Sequence, residues 1–337
     1  MTISDPPRVS LARLPTPLEP LERLSREIGG PRLWVKRDDL TGVGVSGNKV
    51  RKLEFSVGEA LAQECDTLIT CGGLQSNHCR ATAIVGARLG LQVHLFLRGL
   101  PQGAPDGNLF LDYLVGAKLS YYPPAEYYAR REEIFAELVE KYARDGRKAF
   151  VIPAGASDEI GLWGYVSACE ELKADCKRHG FAPDYIICAT GSGGTQTGLI
   201  AGNALHQLGA TIWGINVDDD DAATFKRKIR ADLRAWKNRY QQHLDVDALS
   251  IEVIEGYVGP GYGKAEPPVF ETITRVGRTE GIILDPVYTG KAFHGLIKEI
   301  ESGRLADVSN IVFIHSGGIF GLLAQRSELN FESVGSQ

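Results

Sequence analysis

Short apolar runs that stop at glycine, followed by stretches of helical period, recur along the chain. Thr67-Leu68-Ile69-Thr70-Cys71 carries no charge and is rich in β-branched residues, which predicts a strand buried on both faces. It meets Gly72-Gly73, and a helical pattern then runs from about Asn77 to Leu89. Val93 to Leu97 and Ala149 to Pro153 predict further strands. Tyr185 to Ala189 predicts another, followed by a Gly-rich turn and a helix to about Leu208. Ile212 to Val217 continues the series, and Ile311 to His315 closes it ahead of Gly317-Gly318 and an apolar helix. Strand, glycine turn and helix in repetition is the pattern of parallel βαβ units. The fold class is therefore α/β, with open twisted parallel sheets covered by helices on both faces.

Length and composition narrow this further. At roughly 150 residues per domain, 337 residues predict about two domains. Hydrophobic residues at 43% and charged residues at 23% match an ordinary globular chain and exclude disorder, collagen and a coiled coil. The 39 glycines point to many tight turns and close backbone approaches. With 37 Lys+Arg against 42 Asp+Glu, the net charge of -5 argues against nucleic acid or an anionic membrane as a partner. The segment from Lys226 to His243 is basic, but the acidic run Asp218 to Asp221 lies directly upstream, so it reads as the solvated face of an amphipathic helix. No stretch approaches the roughly 20 apolar residues of a membrane span. The N-terminal segment has no apolar core of an export signal, so the expected address is the cytoplasm. Cys65, Cys71, Cys79, Cys169, Cys176 and Cys188 form no C-x-x-C pair and no zinc pattern. They are expected to be small buried hydrophobes, with no metal site.

Four glycine-bearing loops carry the candidate chemistry. Val45-Ser46-Gly47-Asn48-Lys49 opens a helix expected over Val50 to Leu61. A lysine there is poorly placed for the helix dipole and is either a surface residue or a desolvated, nucleophilic amine able to form an imine. Gly72 to His78 lies between a strand and a helix, where Ser76 or Asn77 caps the helix or the open N–H groups receive a carboxylate. Gly191-Ser192-Gly193-Gly194-Thr195 follows a strand and opens a helix, which makes a phosphate cup. A dinucleotide fingerprint fails there, because Gln196 or Thr195 stands where glycine is required, although Asp218 ends the next strand as a ribose-binding acid would. The fourth loop region pairs Asp285 to Lys291 with His315-Ser316-Gly317-Gly318. Tyr288 is an acid/base group or a core aromatic, and Ser316 is a polar group at a strand end or a helix cap. An imine-forming lysine, an anion pocket, a phosphate cup and polar groups at strand ends together match the needs of pyridoxal phosphate.

The chain resembles the pyridoxal-phosphate enzymes of the tryptophan-synthase β type (fold type II), and within them the D-cysteine desulfhydrase and 1-aminocyclopropane-1-carboxylate deaminase family. The resemblance runs from Leu14-Pro15-Thr16-Pro17-Leu18 and Lys36-Arg37-Asp38-Asp39 through Gly47 to Glu54 and Gln75 to His78. It ends with Asp285 to Lys291 and His315 to Gly318. By this resemblance Lys49 carries the cofactor as an imine, and Lys52 lies near its phosphate. Gly191, Ser192, Gly193, Gly194 and Thr195 form the phosphate cup, and Asn77 binds the phenolic oxygen. Ser76, Asn77 and His78 receive the substrate carboxylate. Tyr288 and Tyr262 are active-site tyrosines that meet the substrate, and Tyr288 is expected to protonate the leaving group. Thr289 and Ser316 lie near the cofactor where the deaminase pattern has Glu and Leu. With His78 in place of Gln, they point to the desulfhydrase side.

The implied activity is α,β-elimination from a small β-substituted amino acid, with D-cysteine the leading substrate and L-cysteate or 1-aminocyclopropane-1-carboxylate the alternatives. A nicotinamide oxidoreductase and a non-catalytic ligand-binding protein are the readings from other classes. The resemblance also implies interleaved domains, a large one from residues 1–50 and 162–337 and a small inserted one from 51–161, and a homodimer. Side chains that read the distal part of the substrate are expected between His94 and Tyr122 or near Tyr257.

Overall fold

Two sheets organise the chain, and the computed structural model describes residues 6–329. The first five residues of the segment read for an export signal lie outside the described residues. The strands are β1 (Leu18–Pro20), β2 (Arg32–Lys36), β3 (Thr67–Gly73), β4 (Gln92–Arg98), β5 (Lys118–Tyr122), β6 (Ala149–Val151), β7 (Tyr185–Thr190), β8 (Thr211–Asn216), β9 (Glu252–Ile254) and β10 (Asn310–Ile314). The larger sheet has the order β1-β2-β10-β7-β8-β9, and the smaller one β5-β4-β3-β6. Every pairing is parallel except β1 on β2. Each strand expected from the sequence is present within two residues of its expected ends.

Helices cover both faces of both sheets. On the larger sheet, α1 (Glu22–Ile28), α9 (Pro267–Glu280) and α10 (Thr289–Glu301) pack one face through Leu24, Ile273 and Phe293. The other face is packed by α6 (Trp163–His179), α7 (Gly194–His206) and α8 (Ala222–Arg239) through Leu172, Leu199 and Trp236. On the smaller sheet, α2 (Asn48–Ala62), α3 (Asn77–Leu89) and α4 (Gly107–Leu114) contribute Leu53, Val85 and Leu109 to one core, and α5 (Pro124–Arg144) contributes Phe135 to the other. The short α11 (Ile319–Leu323) follows β10.

The basic segment behaves as its pattern predicts. Helix α8 buries Phe225, Ile229, Leu233 and Trp236 on one face and turns cations such as Lys226, Arg227 and Arg234 outward. It starts at Ala222, earlier than expected, because the Asp221 carboxylate caps it by accepting from Thr224 N–H at 2.7 Å. All six cysteines are free and buried. Among the described residues no helix is long and apolar enough to cross a membrane.

Helix α6 binds the two sheets together by backbone contact. A Cβ on Gly164 would stand 2.5 Å from the Arg51 carbonyl carbon, so only glycine lets α6 approach α2 this closely. The approach sets the first turn of α2 at the C-terminal ends of the strands, where open α/β sheets bind ligands.

Candidate active site

A cavity of about 340 Å³ lies between the sheets, at the carboxyl ends of β3 and β7. Lys49 enters it from the first turn of α2. The helix begins at Asn48, two residues earlier than expected. Gly47 turns into it at φ +95°, and a Cβ there would stand 2.6 Å from Ser316 O. The amine lies against Gly155, where a Cβ would come within 2.9 Å of Nζ. Burial, reinforced by the charge of Lys228, lowers the Lys49 pKa to about 8, so the amine is nucleophilic near neutral pH.

One turn behind Lys49, a buried ionic network anchors α2. Arg51 donates to Asp38 from Nε at 2.9 Å and Nη2 at 2.7 Å, and to Glu171 from Nη1 at 3.0 Å. Tyr165 Oη donates to the same Asp38 at 2.6 Å, and Lys36 pairs with Glu171 and Asp175 at 2.5 and 2.6 Å.

The loop between β3 and α3 supplies an anion-binding wall. Ser76 is the N-cap of α3, its Oγ accepting from Cys79 N–H at 3.1 Å, and it also lines the cavity with its own hydroxyl proton still to donate. Asn77 and His78 line the cavity beside it. His78 Nε2 lies 2.8 Å from Thr70 Oγ1, which itself donates to Ile152 O at 2.7 Å. Thr70 therefore accepts, and Nε2 carries the proton. Burial, then the charges of Lys49 and Lys52, hold the ring neutral. Its Nδ1 is buried without a partner among the described residues. The His78 side chain thus offers no cation to a carboxylate.

The cup forms where β7 turns into α7. Gly193 sits at the N-cap with φ +84°. A Cβ on Gly194 would stand 2.5 Å from Ser157 Oγ and 2.6 Å from Lys52 Nζ. Gly191, Ser192, Gly193 and Thr195 line the cavity, and Thr195 Oγ1 accepts from Asn48 Nδ2 at 2.9 Å. Lys52 does not reach the wall. It lies fully buried behind the cup, donating to Gly155 O at 3.0 Å and Ser157 Oγ at 3.2 Å. Lys228 of α8 does line the wall.

Tyr262 and Tyr288 close the opposite side with their hydroxyls in contact. Burial raises Tyr262 to about 12 and Tyr288 well above its ordinary value, so both are protonated donors at neutral pH. Ser316 lies on the wall, but the expected partner Thr289 does not. Thr289 Oγ1 donates to Asp285 Oδ1 at 2.7 Å and accepts from Asp285 N–H at 2.8 Å, which turns it away from the cavity. Asp285 is satisfied there by the N–H groups of Val287, Tyr288 and Thr289, so Thr289 completes a helix start.

Several wall residues were not read from the sequence, among them Ser157, Tyr127, Tyr128, Arg131 and Lys228. Arg98 falls in the stretch expected to read the substrate, its guanidinium 4.9 Å from the Tyr262 ring. Tyr257 is off the wall and donates to Glu299 at 2.7 Å. Asp218 is on it, raised to about 6 by burial and its acidic neighbours.

The donor set fits pyridoxal phosphate: an N–H-rich cup backed by a lysine, a near-neutral amine for its carbonyl carbon, and an amide at the far wall. The family model of the pyridoxal-phosphate dependent enzymes matches residues 9–317. The chain belongs to this family. A Thermotoga maritima protein provisionally named a 1-aminocyclopropane-1-carboxylate deaminase is 42% identical over 96% of this chain and 99% of its own. An Arabidopsis thaliana protein named a bifunctional D-cysteine desulfhydrase/1-aminocyclopropane-1-carboxylate deaminase, mitochondrial, is 40% identical over 93% of this chain and 78% of its own. The solved structure of a deaminase homologue superposes with a TM-score of 0.87 at 36% identity, covering 96% of this chain and 95% of that one. The resemblance read from the motifs is borne out. The protein is a pyridoxal-phosphate-dependent enzyme of the deaminase and desulfhydrase family, and the nicotinamide and non-catalytic readings fall.

Proposed function

We propose that the enzyme eliminates sulfide from D-cysteine, and that water then hydrolyses the enamine left behind to pyruvate and ammonia. The observation that carries the reading is the hydroxyl-paired Tyr262 and Tyr288, protonated donors in the same cavity as the Lys49 amine. A base and an acid in one small pocket suit removal of a Cα proton and protonation of a group leaving Cβ. The bound cofactor supplies the electron sink for the bonds at Cα.

Gly191 to Thr195 would hold the phosphate, with Lys52 supporting the cup from behind, and Lys49 would bond the carbonyl carbon. Asn77 would donate to the phenolic oxygen. Ser76 and the N–H groups at the start of α3 would orient the substrate carboxylate. Lys49 takes the Cα proton and Tyr288 gives one to the departing thiolate. Ser316 lies on the wall; it would face the ring nitrogen, and a hydroxyl there would not hold that nitrogen as a cation the way a carboxylate would. A weaker sink favours prompt loss of the Cβ group. Residues 51–161 would close over the substrate, and the enzyme would work as a homodimer.

Deamination of 1-aminocyclopropane-1-carboxylate is the second reading, favoured by the names of the Thermotoga and Arabidopsis relatives. The test offers the holoenzyme D-cysteine, L-cysteine, L-cysteate and 1-aminocyclopropane-1-carboxylate in turn, and follows sulfide, sulfite, pyruvate and oxobutyrate. Sulfide and pyruvate in equal amounts from D-cysteine are expected. Oxobutyrate from the cyclopropane, with no pyruvate from D-cysteine, would establish the second reading instead.

A further inference from the structure

Asn77 lines the cavity, but the residue that orients it does not. Asn108, in the first turn of α4, is fully buried and off the wall. Its Nδ2 donates to Gln75 O at 3.1 Å and to Asn77 Oδ1 at 3.1 Å. The neighbouring backbone is stitched to the same loop: Asn108 N–H donates to Gln75 Oε1 at 2.9 Å, and Gln75 Nε2 donates to Asp106 O at 2.9 Å.

Hydrogen-bond chemistry makes this arrangement directional. A backbone carbonyl only accepts, so the Asn108 atom that faces Gln75 O is its amide nitrogen. That nitrogen also faces Asn77, so the Asn77 atom turned toward α4 is its oxygen. The Asn77 nitrogen is then the atom left for the cavity, and it meets no acceptor among the described residues. Asn108 Oδ1 is buried with no partner among the described residues, so this orientation is kept at the expense of an unsatisfied acceptor.

We infer that Asn108 is a positioning residue: it fixes the amide of Asn77 so that Asn77 donates, rather than accepts, at the phenolic oxygen of the cofactor. The inference rests on the proposed place of Asn77. Without Asn108, either end of the Asn77 amide can face the cofactor, and an oxygen there repels an anionic phenolic oxygen. Loss of a donor to that oxygen raises the pH at which the bound chromophore gives up its proton.

The test titrates the visible absorbance band of the cofactor-loaded protein against pH in wild type, Asn108→Leu, Asn77→Ala and the double variant. The midpoint of Asn108→Leu is expected to rise by about one pH unit or more, in the direction of Asn77→Ala. In the Asn77→Ala background the Asn108 change is expected to add nothing. A wild-type midpoint in Asn108→Leu beside a displaced one in Asn77→Ala overturns the positioning role alone. A wild-type midpoint in Asn77→Ala overturns the place given to Asn77, and the inference with it. If the Leu variant does not fold, Asn108→Ala is read in the same way, since it too removes the donor to Asn77 Oδ1.

Discussion

Removing Arg51 isolates what holds Lys49 in place. Its side chain is 2% exposed and Asp38 is 0% exposed, so Arg51→Met strands a carboxylate in the interior. Losing one partner of a buried pair costs about 3–5 kcal/mol. The lower end applies here, because Asp38 keeps Tyr165 Oη at 2.6 Å and Thr16 Oγ1 at 2.8 Å, and Glu171 keeps Lys36 at 2.5 Å. About 3 kcal/mol in a chain of this size lowers Tm by about 4 °C. Arg51→Met with Asp38→Asn removes the stranded charge and should recover most of the loss. The pH dependence has a definite sign. Burial pushes Asp38 up, but Arg51, Tyr165 and Lys36 together hold it below its ordinary value. A carboxylate depressed in the folded state contributes stability above its unfolded pKa of about 3.9, and that contribution is lost as pH falls through the folded value. The gap between wild type and Arg51→Met should therefore be full at neutral pH and shrink below about pH 4. Urea unfolding across pH measures this. A loss under about 1 kcal/mol at neutral pH, or a gap that does not change with pH, refutes the reasoning.

The remaining predictions concern the cavity. Uptake of pyridoxal phosphate by cofactor-free enzyme should accelerate with pH up to about 8, where the Lys49 amine loses its proton, and then level off. Lys228→Met removes a like charge and should move that midpoint upward; stopped-flow absorbance reads it, and an unmoved midpoint counts against the coupling. Tyr288→Phe should lower kcat for D-cysteine by about 10²–10⁴ with little change in KM, and a near-normal kcat removes Tyr288 as the proton donor. Gly194→Ala places a Cβ 2.5 Å from Ser157 Oγ and should weaken cofactor retention by about tenfold, measured by dialysis; wild-type retention would mean the cup is elsewhere.

Elements buried on both faces were legible because uninterrupted apolar runs admit few other readings. β3, all but its last two glycines buried, is the clearest. β5 is an edge strand, Lys-Leu-Ser-Tyr-Tyr, none of it fully buried, and its pattern does not separate it from a loop. α6 has no side-chain cap and carries Gly164 for a backbone contact that local sequence does not report. The glycine loops of the site were legible because each joins a strand to a helix within a few residues. Arg98 and Lys228 were not, since they reach the cavity from β4 and α8 through topology alone. Thr289 shows the converse: motif position put it at the cofactor, while Asp285 claims its hydroxyl, and Lys52 stands behind the cup with its amine on Gly155 O and Ser157 Oγ.

The place of Lys49 is the centre of the account, and borohydride reduction tests it directly. Reduction of the cofactor-loaded enzyme, digestion and peptide mass mapping should find the pyridoxyl group on the peptide containing Lys49, and no label there in Lys49→Ala. Label on Lys52 or Lys228 instead, or unchanged labelling of the Lys49→Ala variant, would contradict it.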